Sequence, residues 1–526
     1  MQQLSELDAS FLYLETDSTP MHLGGIYLFD GSDSETALDF ETFKQVLSSR
    51  LHVAPFFRQR LFEVPLRLDR PYWIDDAQFD LDKHVRHITL ANQRDSEELI
   101  SLSETLLQRP LNRDRPLWEI TFVDGFDEDA LPANSFALVV KIHHAAIDAF
   151  SGEEIMGILL EYSSTPKRIA PSQAWTPRPL PSRLRLLTQA YANALQKPFR
   201  LASLARDAAA AVLHTLLLQR IRELNLPLAL FNAPRSPLNH NISGRRQLVS
   251  KTVSLARLKA IRNQLGEVTL NDVVLGVCAE TLVRYLQARD ALPDTALVAL
   301  TPVSVRSKTL RSPTGNQMSA LMLSLATQEP DPAKRIRLIH RNAVISEHYQ
   351  QAIAANRLTE LLPSTLLALS ARLYSEFQLA QRHTPLFNLP ITNVPGPKVP
   401  LYLQGARLVR QINSSPLFDG MGVVILAVSY LGDMTFNFTL CPDVIQDGAQ
   451  FADLLDESVA AIEIAAQQLE MDAAPLTEEE SVPNSIDGAL IDEVVGYIES
   501  MIGTVLKRFR SERREPESTP STDSHS

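Results

Sequence analysis

Apolar residues recur along the chain with two different spacings, which predict a mixture of strands and helices. Phe136–Ile142, with the sequence FALVVKI, is a short apolar run of the kind found in strands that are buried on both faces. Ser151 and Glu154 then form a capping-box pattern that opens an apolar stretch at helical spacing. Two adjacent histidines and Asp148 lie in the connection between strand and helix, where open α/β sheets commonly place their sites.

The second half of the chain repeats this alternation of helices and strands. A hairpin is indicated near the end, where two strand-like runs flank Gly432 and Asp433. The pattern also predicts four earlier elements: a helix over Ser254–Leu265, a capping box at Thr269–Asp272 that opens an apolar helix, a strand over Ala296–Val303, and a mostly helical region over Ile336–Phe377. Mixed elements in both halves indicate an α/β (α+β) protein made of two sandwich domains.

A chain of 526 residues is too long for one ordinary core, so we expect several regions. The predicted regions are an N-terminal domain over 1–164, a connection rich in proline and arginine over 165–245, a C-terminal domain over 246–472, and a flexible joint, amphipathic helix and disordered tail over 473–526. Basic, amphipathic spacing at 183–224 and 491–514 fits either packing on the protein itself or contact with an anionic membrane, and for 491–514 also contact with a partner chain.

Composition and charge narrow the class of protein. Apolar residues make up 45% of the chain and charged residues 21%, as in globular proteins, and the net charge of −12 argues against a nucleic-acid partner. Cys278 and Cys441 lie in apolar surroundings without a C-x-x-C partner, so we expect both to be buried thiols. The first residues lack the pattern of a signal peptide, and no apolar run reaches the roughly 18–20 residues that span a bilayer. We therefore expect a protein that is soluble or lies on a membrane surface.

The histidine pair at 143 and 144 allows three interpretations. A metal site is disfavoured, because adjacent histidines rarely bind one ion and no third ligand stands at a familiar spacing. A structural role fits at least one of the two, since polar side chains in connections often satisfy backbone groups. A general base is the third interpretation, because imidazole accepts a hydroxyl proton near neutral pH. No G-x-S-x-G turn is present, which favours direct transfer over a covalent acyl-enzyme.

The stretch HHAAIDA resembles the His-His-x-x-x-Asp-Gly motif of the bacterial wax ester synthase/diacylglycerol acyltransferase family, within the chloramphenicol-acetyltransferase-like superfamily. Further segments similar to that family occur in the expected order over about residues 1–465: Leu4–Gly25, Arg115–Ile120, Leu270–Ala279, Thr301–Arg306, Thr314–Ser319, Thr392–Pro397 and the hairpin around Ser429 and Tyr430. The resemblance implies two sandwich domains with a channel between them.

The resemblance also implies an acyl-CoA-dependent O-acyltransferase that esterifies a long-chain alcohol or diacylglycerol. By position, His144 matches the general base of the family and Asp148 the supporting aspartate. Arg306 is the candidate salt-bridge partner of Asp148, and His143 is expected to be a helper or structural. Acyl-CoA is then a co-substrate, and we expect no cofactor and no metal.

Other residues are candidates for supporting roles. Asn271 stands at a predicted helix start, where its amide either caps the helix or donates to the oxyanion of the tetrahedral intermediate. Asn393, Pro395 and Gly396 belong to a rigid loop expected to line the channel. Ala149 departs from the family glycine, which predicts either a slightly different turn or extra bulk beside the channel, and changes the expected substrate fit.

Two alternative functions remain open at this point: a condensation-type acyltransferase that uses a carrier protein, and a non-catalytic lipid-binding protein. Both long-chain alcohols and diacylglycerol present a hydroxyl on an apolar body, so both remain candidate acceptors. We expect a cytoplasmic protein in peripheral contact with the inner face of the membrane or with lipid inclusions. The sequence makes no prediction of the oligomeric state.

Overall fold

A computed structural model describes most of the two halves of the chain. The described residues are 2–32, 34, 38–64, 69–90, 96–126, 132, 134–146, 157–166, 175–179, 233–304, 318–352 and 385–472. The described elements before Met471 belong to one compact unit.

Fifteen strands occur in the described residues: β1 (Gln2–Gln3), β2 (His22–Asp30), β3 (Gln59–Phe62), β4 (Tyr72–Asp75), β5 (Val85–Thr89), β6 (Trp118–Asp124), β7 (Phe136–His143), β8 (Gln247–Ser254), β9 (Val298–Ser304), β10 (Met318–Ser324), β11 (Leu389–Val394), β12 (Tyr402–Leu403), β13 (Ala406–Ser414), β14 (Val423–Tyr430) and β15 (Asp433–Leu440).

Seven α-helices occur in the same part of the chain: α1 (Glu6–Leu14), α2 (Phe40–Arg50), α3 (Ser96–Gln108), α4 (Leu255–Leu265), α5 (Leu270–Gln287), α6 (Pro332–Ala352) and α7 (Gln450–Asp472). Among the described helices, none combines the length and the apolar character needed to cross a bilayer.

The first large sheet has the strand order β12-β13-β2-β7-β6-β5. Its central strand β7 is buried along its whole length, as the apolar run predicts. One face of the sheet is filled by aromatic rings, including the stacked pairs Phe29–Phe136 and Phe122–Phe136 at centroid distances of 4.9 and 5.0 Å. This packing anchors the amino-terminal end of β7 in the core.

The second large sheet has the strand order β10-β9-β11-β14-β15-β8. Helix α5 packs in the core beside it and is buried on nearly all sides, which explains why its sequence is apolar rather than amphipathic. Cys278 lies in this helix and Cys441 follows β15; both are fully buried, as predicted. A small third sheet has the order β1-β4-β3.

Strands β12 and β13 come from the second half of the chain but belong to the first sheet. β13 pairs antiparallel with β2, with Ser414 opposite Gly24. β12 pairs with the start of β13 on the other edge, and near its end β13 contacts β15 of the second sheet, where the backbone N–H of Asn413 donates to Asn437 Oδ1 at 2.9 Å. The two halves therefore share a sheet. The predicted domain limits at 164, 245 and 472 stay predictions.

The capping patterns of the second half are confirmed. Ser254 accepts the backbone N–H of Ala256 and opens α4, and Gly266 ends it at a φ of 86°. Thr269 and Asp272 form a complete capping box at the start of α5. These helices were predictable because both ends are set by residues next to them in sequence.

The hairpin is confirmed with its turn one residue earlier than predicted. Tyr430 and Asp433 are a cross-strand pair, so the turn consists of Leu431 and Gly432 and not of Gly432 and Asp433. Both turn residues have positive φ values, 51° and 94°, as a type I′ turn requires.

Several predictions lie outside the described residues. They are the capping box of Ser151 and Glu154, the amphipathic segments 183–224 and 491–514, and the part of the predicted helical region after Ala352.

Candidate active site

The candidate site begins where β7 ends. β7 finishes at His143, and a short 3-10 turn over His144–Ala146 follows it. β7 pairs with β2 in a register that places His143 directly opposite His22. The two rings meet edge to face at a centroid distance of 6.0 Å. Sheet pairing therefore brings together two histidines that are far apart in sequence.

Glu15 lies against both of these histidines. Its Oε1 atom is 3.6 Å from His143 Nε2 and 3.5 Å from His22 Nε2. The backbone N–H of Ala145 donates to His143 Nδ1 at 3.0 Å, so neutral His143 carries its proton on Nε2, which faces the carboxylate. This contact fixes the orientation of His143 inside the protein.

Arg113 completes the group by binding the other oxygen of Glu15. Arg113 Nε donates to Glu15 Oε2 at 3.0 Å, and Arg113 Nη2 also donates to the carbonyl of Leu12 at 2.7 Å. Burial by itself raises the pKa of Glu15, but the facing imidazoles of His143 and His22 and the charge of Arg113 outweigh it and lower that pKa below its usual range. Glu15 is therefore ionised at neutral pH.

His22 is neutral in this group. Burial is the largest cause that lowers its pKa, and Leu111 donates its backbone N–H to His22 Nε2 at 3.3 Å. We name Glu15, His22, Arg113 and His143 the histidine brace. The sequence prediction included only His143; Glu15 and His22 lie in the segment Leu4–Gly25 that carried the family resemblance, where a role for them was not predicted.

His144 has different surroundings from His143. Its backbone N–H donates to the carbonyl of Met21 at 2.8 Å, and its ring stacks on Phe11 at a centroid distance of 3.7 Å. Burial, together with the neighbouring His143, lowers the pKa of His144 to about 4. At neutral pH His144 is therefore an uncharged imidazole with a lone pair available for a proton.

The Nδ1 atom of His144 is buried and makes no hydrogen bond to another residue among those that the structure describes. Asp148, predicted to support this histidine, lies outside the described residues, as do Ala149 and Arg306. Their predicted roles stay predictions.

A second group of candidate residues lies at the start of α5. Asn393, in β11, donates from Nδ2 to Asn271 Oδ1 at 3.2 Å. Because this bond occupies the oxygen of Asn271, its Nδ2 group is left as a donor for another partner. Thr269, not Asn271, is the N-cap of the helix, so the capping explanation of Asn271 is wrong.

The loop after β11 is tied to the neighbouring strand. The backbone N–H of Gly396 donates to Ser429 Oγ at 3.0 Å, and a Cβ atom at Gly396 would collide with the carbonyl oxygen of Ser429. Pro395 precedes it and is exposed. The rigidity predicted for this loop thus has a physical cause, while its contact with a channel stays a prediction.

Trp118 belongs to the core, as predicted. It is 1% exposed, its Nε1 group donates to the carbonyl of Phe57 at 3.0 Å, and its ring stacks on His84 at 4.6 Å. Its place in the segment Arg115–Ile120 reflects packing and not a contact with substrate.

The two six-stranded sheets and their helices form the two-domain fold of the chloramphenicol-acetyltransferase-like class. A starter condensation domain of rhizomide synthetase has this fold too, with a TM-score of 0.50 at 16% identity over 91% of this chain and 97% of that domain. The predicted fold class is confirmed.

The chain belongs to the wax ester synthase/diacylglycerol acyltransferase family. The family's catalytic domain matches residues 4–274, and its C-terminal domain matches residues 314–463. The protein is therefore an O-acyltransferase, and the predicted resemblance is confirmed.

Named relatives and a solved structure agree with this assignment. A provisionally named diacylglycerol O-acyltransferase of Mycobacterium tuberculosis is 32% identical over 88% of this chain and 99% of its own length. The O-acyltransferase WSD of Acinetobacter baylyi is 29% identical over 89% of this chain and 99% of its own. The structure of the wax ester synthase/diacylglycerol acyltransferase from Marinobacter aquaeolei covers 89% of this chain and 100% of that protein, with a TM-score of 0.62 and 26% identity.

Proposed function

We propose that the protein transfers an acyl group directly from acyl-CoA to the hydroxyl of an apolar acceptor, with His144 as the general base. The imidazole takes the hydroxyl proton while the oxygen attacks the thioester carbonyl. The tetrahedral intermediate then collapses, the carbon–sulfur bond breaks, and the imidazolium protonates the departing thiolate. An ester and free CoA result, and the histidine returns to its neutral form.

The place of His144 carries this proposal: its ring stacks on Phe11 directly after the end of β7, in surroundings that lower its pKa to about 4, whereas the charged groups nearby contact His143. A base must be unprotonated before it can act. The histidine brace fixes the position of His143. Because His144 is the next residue in the chain, its backbone position is fixed as well. His143 is then a helper without a proton-transfer role.

Asn271 is the proposed oxyanion donor. Its Nδ2 group is free to donate because Asn393 occupies its Oδ1. Asn393, Pro395 and Gly396 are proposed to line the acyl or alcohol path, with Ala149 beside it. Asp148, paired with Arg306, is proposed to support the base.

The proposed acceptors are long-chain alcohols and diacylglycerol. The relatives named above support both, since one carries the name diacylglycerol O-acyltransferase and the solved structure is named for both activities. With diacylglycerol as acceptor, the protein would act in glycerolipid metabolism and make triacylglycerol. Acyl-CoA is the co-substrate, and no further cofactor takes part in the proposed steps.

We also propose peripheral contact with the inner face of the membrane or with lipid inclusions. Both the acceptor and the product are apolar, and the basic segments 183–224 and 491–514 suit an anionic surface. Co-sedimentation with anionic vesicles that is lost at high salt supports this proposal. Absence of binding to vesicles of any composition contradicts it.

The function is tested by thiol release from palmitoyl-CoA with hexadecanol or dipalmitoylglycerol as acceptor. We expect release that depends on the acceptor in the native protein and is lost in His144→Ala. The matched control is His52→Ala, because His52 is an exposed histidine away from the site. The faster acceptor identifies the main product. Release that is unchanged in His144→Ala would contradict the general-base role.

A further inference from the structure

His340, which takes no part in the proposed reaction, contacts the residue that follows Asn271. Asp272, the next residue, accepts three hydrogen bonds at Oδ2, each of 2.7 Å or close to it. The donors are the backbone N–H of Thr269, the hydroxyl of Thr269, and Nδ1 of His340. The Asp272 side chain is only 3% exposed. His340 therefore binds a buried carboxylate that directly follows the proposed oxyanion donor.

His340 lies on α6, and a close contact fixes how this helix packs on α5. One turn later on α5 and one turn earlier on α6, Gly276 lies against Ile336, and a Cβ atom at Gly276 would collide with Ile336. The pairs Gly276–Ile336 and Asp272–His340 are four residues apart on both helices. The two helices thus meet at two successive turns: the contact between Gly276 and Ile336 is apolar, and the contact between Asp272 and His340 is polar.

The capping box alone already gives Asp272 its usual helix-capping function. In such a box the carboxylate accepts from the N-cap residue, and Thr269 supplies that contact. The bond from His340 is additional and comes from another helix. It restrains the first turn of α5 against rotation, which is the movement that would redirect Asn271.

We propose that His340 is a positioning residue: through Asp272 it holds the first turn of α5 so that Asn271 keeps its Nδ2 group directed at the developing oxyanion. This proposal rests on the oxyanion role proposed for Asn271. His340 itself does not touch substrate. Removing it is expected to lower kcat, because the misplaced donor acts in the transition state, and to leave KM nearly unchanged.

The test compares three substitutions of His340 in the full-length protein, with palmitoyl-CoA and hexadecanol as substrates. His340→Leu removes the donor, His340→Asn places an amide N–H near the position of Nδ1, and His340→Gln places it near Nε2. We expect kcat to fall about 10-fold in His340→Leu and His340→Gln, as for the loss of an outer partner, and to recover largely in His340→Asn. If His340→Leu does not fold, the Asn and Gln variants still give the comparison.

The control is Arg341→Gln on the same helix, because Arg341 is exposed and the described contacts include none to its side chain. The decisive measurement repeats His340→Gln in an Asn271→Ala background. We expect no further fall in kcat there, because the donor that His340 positions is already absent. An equal fall in both backgrounds overturns the positioning role.

The outcomes separate the two proposals. If Asn271→Ala lowers kcat but His340→Gln matches the native protein, the positioning proposal fails and the oxyanion role stands. If Asn271→Ala leaves kcat unchanged, the oxyanion role fails and the positioning proposal fails with it. A lower thermal midpoint in His340→Gln with an unchanged kcat shows a structural contact only and also overturns the proposal.

Discussion

The carboxyl end of β7 and the amino end of α5 hold the two groups of candidate residues, and they are built from opposite kinds of side chain. The first contains His143, His144 and the ionised Glu15. The second contains two neutral amides, Asn271 and Asn393, joined by one hydrogen bond. The side chains proposed to move or support a proton lie at the end of β7. Groups that only donate hydrogen bonds are found in the second, where charge is stabilised.

Because of this difference, we expect the rate to depend on pH through one group and on helix position through the other. Changes in pH should act on the β7 end, since an amide has the same donor at every pH. Changes in helix position should act on the α5 end, since a donor must be aligned with the oxyanion. The predictions below test this separation from the largest expected effect to the smallest.

His144→Ala is expected to have the largest effect. General-base catalysis contributes about 10²–10⁴-fold in rate, so kcat should fall by that factor while the thermal midpoint changes little. Steady-state thiol release and a thermal melt check this. A comparable fall in His52→Ala would mean that the assay responds to a feature other than the base.

Asn271→Ala is expected to lower kcat by about 10²–10³-fold, the range seen when one oxyanion donor is removed. The shape of the pH profile should stay the same, because the amide that is removed does not titrate. The exposed Asn263→Ala on α4 serves as the control. A shifted pH profile in Asn271→Ala would break the separation between the two groups.

Glu15→Gln is expected to reduce the free energy of unfolding by about 3 kcal/mol at neutral pH, because it removes one partner of a buried charged group. The pKa of Glu15 is lower in the folded protein than its usual value of 4.5. Its contribution is therefore present above about pH 4.5 and is lost as the pH falls below that value. Urea titrations at several pH values check this.

The native protein should lose stability more steeply than Glu15→Gln as the pH falls from 4.5, so that the two unfolding curves converge. Parallel curves at all pH values would show that the carboxylate is not held ionised by the histidine brace.

The smallest expected effect concerns the pH dependence of kcat/KM, which falls on the acid side when the base becomes protonated. We call this part of the profile the acid limb. It should lie near pH 4, because burial lowers the pKa of His144 to about 4 and the free base persists above that value. A histidine in water would give a limb near its ordinary value of about 6.5. Rates measured over a pH range in which the protein stays folded decide between them, and a limb near the ordinary value would mean that His144 is solvated.

The elements with local determinants were predictable from sequence. α4 and α5 begin at Ser254 and Thr269 as their capping patterns indicate, and β7 is buried as its apolar residues require. His144 and Asn271 were found as candidates because a motif of adjacent residues contains them. Short-range sequence patterns were therefore enough to find the proposed base and the proposed oxyanion donor.

The remaining features depend on pairings between distant segments. His22 lies opposite His143 because β2 and β7 pair in one register, and Glu15 and Arg113 join them from segments outside these strands. Nothing near Glu15 in the sequence specifies that contact. His340 reaches Asp272 through the packing of two helices. The shift of the hairpin turn to Leu431 has another cause, since a leucine with positive φ contradicts the usual turn residues.

The place of β13 has a consequence for how the protein is made. A ribosome releases β2 early, yet the partner on one edge of β2 is completed only at Ser414. Until then that edge has open backbone hydrogen-bonding groups, which are a template for wrong pairing. A fragment that stops before β13 leaves the first sheet unfinished. Separate expression of an N-terminal half is therefore expected to yield aggregates, because the sheet that contains β7 and the proposed base His144 is completed only after β13 has been synthesised.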